Sequence, residues 1–159
     1  MYKSLSLKPI YKDMRLNSAY LDKSQHYEII EAFITTYVEF GFVAPWIGYF
    51  VFDDEHNIVG CGGFKGKPTY GTVEIAYGTL DGYEGQGIAT HICAELIQIA
   101  LKSDPMLTIR ARTLPKPGAS TRILEKTGFR LIGNVVDKDD GNVWEWEFDK
   151  ERTKQTELI

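Results

Sequence analysis

The sequence predicts an α+β protein of mixed three-layer form, with a largely antiparallel central sheet of about six to seven strands, one parallel βαβ pair, and helices on both faces. Three observations carry this. Short segments of period-two apolar residues recur along the chain and are mostly joined by turn clusters. Two stretches, Ser24–Phe40 and about Gln86–Leu101, instead repeat apolar residues at helical spacing. The second stands between two strand-like runs, so those strands are expected to be parallel with a right-handed crossover.

The elements follow in order. Residues 1–23 carry little pattern, although Leu5 and Leu7 alternate with Ser4, Ser6 and Lys8 as in a short edge strand. From Ser24 to Phe40, Ile29, Ile30, Phe33, Ile34, Tyr37 and Val38 share a helical face, and Gly41 is the expected stop. Gly48–Phe52 and Ile58–Phe64 flank the turn cluster Asp53–Asn57 as an antiparallel hairpin. Gly66–Gly71, with Pro68, turns into the strand Thr72–Thr79. On it Val73, Ile75 and Tyr77 point one way and Glu74, Ala76 and Gly78 the other.

The helix from about Gln86 carries a polar stripe of His91, Glu95, Gln98 and Lys102 and buries its remaining face. Pro105 stops it, Leu107–Leu114 is a strand, and Pro115–Gly118 breaks to a helix Ala119–Thr127 with Gly128 as left-handed cap. Arg130–Asp137 and Asn142–Asp149 close the sheet through the Asp139-Asp140-Gly141 turn, and Lys150–Ile159 is expected to fray. No internal repeat is evident.

The 159 residues fit one domain, residues 1–159, able to bury a core without a disulfide or metal. With 18 basic and 22 acidic side chains the net charge is -4, which argues against nucleic acid as a partner. Cys61 and Cys93 sit singly in apolar patterns, as buried thiols of a reducing compartment do. No signal-like core opens the chain and no apolar run approaches the ~18 residues of a membrane span, so a cytoplasmic protein without a membrane partner is expected. His26, His56 and His91 read as surface residues with no metal-ligand spacing, and no metal is expected.

Chemistry concentrates at Glu84–Thr90, EGQGIAT. Gly85 and Gly87 allow a tight bend and close approach of a ligand, and the helix that follows presents unpaired N–H groups at its positive dipole end. That is an anion site by construction. A glycine turn serving geometry alone is the alternative that the spacing leaves open.

The loop resembles the Q/R-x-x-G-x-G/A signature of the GNAT superfamily of N-acetyltransferases, in its place between a central strand and a helix. Val73–Thr90, Arg110–Pro115, Ala119–Phe129 and Gly60–Pro68 are similar to the branch containing ribosomal-protein alanine acetyltransferases, so the resemblance covers about residues 46–149. A third glycine and a GK[ST] ending are both absent, which sets aside dinucleotide-fold and P-loop readings.

The resemblance implies a GNAT-like fold and acetyl-CoA as cosubstrate. It places the pyrophosphate on the backbone of Gly85, Gln86, Gly87, Ile88, Ala89 and Thr90, and the pantetheine arm on the backbone around Thr79 and Leu80. Two departures stand out. Glu84 takes a position usually held by Gln or Arg, and is expected to turn away from phosphate. Pro117-Gly118 replaces a common Asn.

Acetyl transfer to an amine needs a neutral nucleophile and a proton for the departing thiolate. Glu74, on the small face with Ala76 and Gly78, is the candidate base, acting through water; the alternative is a strand carboxylate held in an ion pair. Ser120 matches the serine that in the branch lies near the cofactor sulfur, and helix capping is the equal alternative. Glu145 and Glu147 read as a charged ladder. Trp46 and Phe42 read as core packing, with an acceptor-cleft wall as the alternative.

The expected function is transfer of acetyl from acetyl-CoA to a primary amine, by direct attack in a ternary complex, in a monomer or homodimer. An α-amine or small-molecule amine is favoured, because an α-amine near 7.7–8.0 is already partly neutral whereas a Lys amine near 10.4 needs stronger base assistance. The competing reading is an acyl-CoA-binding sensor or an inactive member of the fold.

Overall fold

The computed structural model describes residues 4–151; the expected fraying of the C-terminal tail falls almost wholly outside them. Seven strands form one sheet: β1 (Ser6–Pro9), β2 (Gly48–Phe52), β3 (Ile58–Phe64), β4 (Thr72–Thr79), β5 (Thr108–Thr113), β6 (Phe129–Asp137) and β7 (Gly141–Phe148). Their order is β1-β2-β3-β4-β5-β7-β6. Among the described residues only β4 and β5 pair in parallel, as the βαβ pattern predicts.

Three α-helices pack on this sheet: α1 (Ser24–Phe40), α2 (Ile88–Ser103) and α3 (Ala119–Thr127). The sheet's glycines show where. A Cβ on Gly48 would collide with the Phe33 ring of α1, and one on Gly62 would lie 2.7 Å from Ile92 of α2. Small residues on β2 and β3 thus let both helices lie close to the sheet, on opposite faces. Under α2 the core runs through Val59, Val73, Ile75, Ile92, Leu96 and Ile109. Under α1 it joins Ile10, Tyr20, Ile30, Phe50 and Phe52.

Two details depart from the sequence reading. Helix α2 begins at Ile88, because Gly85 (φ 76) and Gly87 (φ 79) are left-handed and hold Gln86 in the loop. Met14–Tyr20 forms a 3-10 helix that apolar periodicity does not announce. Its organiser is polar: buried Asn17 accepts from Tyr11 N at 2.8 Å and donates to Tyr11 O at 3.0 Å. His26, expected at the surface, is buried with its ring against Phe50 at 5.8 Å and Nδ1 3.0 Å from Tyr20 O. Trp46 and Phe42 pack edge-on against Phe64 and Tyr37, in keeping with their reading as core residues.

Candidate active site

The glycine loop opens onto a cavity of about 590 Å³ between β4, the start of α2, and α3. Its walls include Gly85, Gly87, Ile88, Ala89 and Thr90. Helix α2 has no side-chain cap, and its first internal bond runs from His91 N to Gly87 O at 3.1 Å. The N–H groups of Ile88, Ala89 and Thr90 therefore lack intrahelical acceptors and are presented to the cavity mouth. Glu84 also belongs to the cavity wall, but its Oε2 accepts from Gly82 N at 2.9 Å, which ties the carboxylate to its own loop.

From α3, Arg122 and Lys126 face the same cavity one turn apart. Sequence reading passed over them; their spacing of four on the face that also holds Ala119 and Ser120 was the available signal. Oriented amides, a helix dipole and two cations suit a polyanion. The residues present thus fit the pyrophosphate of a CoA-type cosubstrate. Gln86 does not line the cavity, since the two left-handed glycines turn it to solvent.

Next to the loop the sheet comes apart. Pairing of β4 with β5 ends at Ile75–Ala111, while β4 continues to Thr79 along β3. Lys65 N donates to Glu74 O and Leu80 N to Val59 O, so even-numbered residues of β4 bond to β3. Alternation then turns the N–H and C=O of Tyr77 and Thr79 into the gap. Leu80 differs from expectation: it is 3% exposed, its N–H is taken by Val59, and its C=O accepts from Tyr83 N. The backbone facing the gap belongs to Tyr77 and Thr79.

The gap lies between the cofactor-sized cavity and a second region on the α1 face. Register places Glu74, Ala76 and Gly78 on that face, opposite Lys65, Gly63 and Cys61 of the β3 side. Glu74 is engaged, with Oε2 2.9 Å from Lys65 Nζ and Oε1 3.7 Å from Arg112 Nε. The ion-paired alternative is therefore what the geometry contains, and a proton-accepting role requires Glu74 to exchange one of these partners. Arg112 also donates to Asp137 Oδ1 at 2.7 Å and Glu145 Oε2 at 3.0 Å. The Arg112 hydrogen bond, with two backbone N–H groups, pulls the Asp137 carboxyl down to about 2. Glu145, read as one rung of a charged ladder, is 9% exposed and bridges Arg110 and Arg112.

Ser120 lines the cofactor-sized cavity together with Gly78. It does not cap α3. Gly118 is the N-cap residue, and its N–H donates to Thr121 Oγ1 at 2.9 Å. The Ser120 hydroxyl, exposed and without a partner among the described residues, remains available at the cavity.

Tyr77 contributes the cavity's other side-chain hydroxyl from β4, besides Thr79. Burial, followed by contact with Cys93, pushes its pKa up, so the phenol holds its proton more firmly. Cys93 touches Thr127 Oγ1 at 3.4 Å and is itself pushed up to about 11 by burial. Burial likewise pushes Cys61 to about 11. Burial thus disfavours the thiolate of both, which is the nucleophilic form.

The sequence model of the acetyltransferase (GNAT) domain family matches residues 6–130. No curated protein sequence matches the chain. Among solved structures, an aminoglycoside acetyltransferase, AAC(6')-Ib, in complex with coenzyme A is similar at TM-score 0.68. It shares 17% identity over 97% of this chain and 99% of that one. An acetyltransferase of the same superfamily from Bordetella pertussis superposes at 0.67, with 18% identity over 94% and 98%. A chimera of the Vibrio cholerae spermidine N-acetyltransferase SpeG and hSSAT superposes at 0.66, with 15% identity over 93% and 96%. At these identities the likeness speaks to fold.

Proposed function

The chain belongs to the GNAT acetyltransferase family, and from that premise we propose that it moves the acetyl group of acetyl-CoA to a primary amine by direct attack in a ternary complex. The observation that carries this reading is the open seam between β4 and β5. It lies between the cavity at the glycine loop on the α2 face and a charged cleft on the α1 face. Donor and acceptor can then approach one point from opposite sides of the sheet.

Acetyl-CoA, when bound, supplies an activated thioester carbonyl. The amides of Gly85, Gly87, Ile88, Ala89 and Thr90, with Arg122 and Lys126, bind its phosphates. Thr79 and Tyr77 hold the arm through their free backbone groups. Glu74 accepts, through water, the proton that the attacking nitrogen loses as the C–N bond forms. Ser120 holds a hydroxyl proton for the sulfur as the C–S bond breaks, and solvent replaces that proton. Direct attack is favoured over a cysteine-bound acyl group because neither Cys61 nor Cys93 lines the cofactor-sized cavity and burial disfavours the thiolate of both.

An α-amine, which ionises near 7.7–8.0, asks least of this base; an alkylamine, which like Lys ionises near 10.4, gives up its extra proton to solvent before it attacks. The similarity of Val73–Thr90 to the ribosomal-protein alanine acetyltransferase branch supports an α-amine. Two superposing structures bear the names of amine acetyltransferases, for spermidine and for aminoglycosides. One observation favours the acyl-CoA sensor reading: Glu74 is already paired with Lys65. Calorimetric titration with acetyl-CoA, followed by thiol release across an amine panel, separates the two. Binding with no thiol release on any amine supports the sensor.

A further inference from the structure

Lys65 stands at a junction that the acetyl-transfer reading leaves unused. On the α1 face, a cleft of about 560 Å³ is lined by Glu74, Arg112 and Asp137, with Thr35 and Thr36 of α1. Beside it, α1 and β3–β4 enclose a smaller, largely apolar slot of about 180 Å³. Its walls include Ala32, Phe33, Gly63, Phe64 and Ala76. Lys65 belongs to the walls of both. Ala32 and Thr36 of α1 are shared as well, so the two spaces adjoin along this side chain, whose ammonium sits 2.9 Å from Glu74 Oε2. The side chain is 39% exposed, so it has a route out to solvent.

We infer that Lys65 is a resident occupant of the acceptor-amine position, and that the acceptor is a primary alkyl or aralkyl ammonium whose apolar stem enters the slot and displaces it. This rests on the acetyl-transfer reading for the role of Glu74. A Lys side chain is an ammonium on an apolar four-carbon stem, so the groups that satisfy it fit an external amine of the same build. The slot holds roughly six water-sized groups at ~30 Å³ each, which is room for a short stem and one small ring at most. Withdrawal of Lys65 merges the slot with the charged cleft, frees Glu74 Oε2, and brings the incoming nitrogen beside Ala76. That residue is the first on β4 beyond the last pair with β5. A partly exposed ion pair is worth little, so displacement is a modest toll on binding.

The test uses n-hexylamine as probe, on protein saturated with CoA for binding and with acetyl-CoA for turnover. In Lys65→Met the calorimetric dissociation constant for n-hexylamine falls roughly two- to five-fold relative to the parent protein. The KM for acetyl-CoA is unchanged. Ala32→Phe, at an exposed position of α1, fills the slot and weakens n-hexylamine binding without changing CoA affinity. Unchanged or weaker n-hexylamine binding in Lys65→Met overturns the inference, with Lys65 then a support that orients Glu74. Tighter binding in Lys65→Met with no thiol release in either protein, on n-hexylamine or on any amine of a panel, leaves the inference about Lys65 standing and contradicts acetyl transfer. Thiol release without tighter binding does the reverse.

Discussion

Arg112 Nη1 lies 2.7 Å from Asp137 Oδ1, joining the middle of the sheet to the β6–β7 turn. The N–H groups of Asp139 and Asp140 bind the other oxygen, Oδ2, at 3.0 and 3.1 Å. Together they bring the carboxyl from 3.8 to about 2, the guanidinium being the largest cause. A carboxyl depressed on folding stabilises the protein above its unfolded pKa, and that contribution is lost as pH falls through the folded value.

Asp137→Asn is accordingly expected to be less stable than the parent at pH 7 by about 1–2 kcal/mol, discounted for the partial exposure of Arg112. The difference should shrink between pH 4 and pH 2 and vanish below. Thermal melts of both proteins over pH 2–7 measure it; curves that stay parallel through this window contradict the pairing.

Ser120 and Thr121 are neighbours with separable roles. Ser120→Ala is expected to lower kcat by about 10²-fold, the low end for a lost proton donor, with the melting temperature unchanged. Thr121→Val removes the acceptor of the Gly118 N–H and should cost about 1 kcal/mol of stability. Equal loss of stability in both variants would return the capping role to Ser120.

Gly87 has φ 79 and open space where a Cβ would point. Gly87→Trp is expected to weaken CoA binding at least tenfold, about 1.4 kcal/mol, by placing an indole over the amides at the start of α2. Calorimetric titration with CoA checks this. Undiminished affinity would remove the loop from cofactor binding.

Tyr37 is a polar node of the α1 face. Its hydroxyl donates to Ile10 O at 2.7 Å and accepts from Gly48 N at 2.8 Å. Tyr37→Phe leaves both buried groups unpaired and should cost about 2–4 kcal/mol. The expected fall in melting temperature is roughly 5–15 °C, with affinity for CoA retained.

Much of this was legible from period and spacing. Alternation alone places Glu74, Ala76 and Gly78 on one face of β4, and Gly85 with Gly87 marks the bend before α2. What spacing cannot reveal is register between segments distant in the chain. The partners Lys65 and Arg112 reach Glu74 only through strand pairings across 9 and 38 positions. Whether Leu80 or Tyr77 offers free amides is decided by the parity of the β3–β4 ladder. His26 was misread because its burial depends on Phe50, a residue of another element.

The central claim, amine acetylation across the β4–β5 seam, is tested most directly by thiol release from acetyl-CoA over a panel of primary amines, in parent protein and Glu74→Gln. The account predicts release with at least one amine by the parent, and a kcat at least 10²-fold lower in Glu74→Gln with acetyl-CoA affinity intact. Binding of acetyl-CoA without release on any amine, or equal kcat in the two proteins, would contradict it.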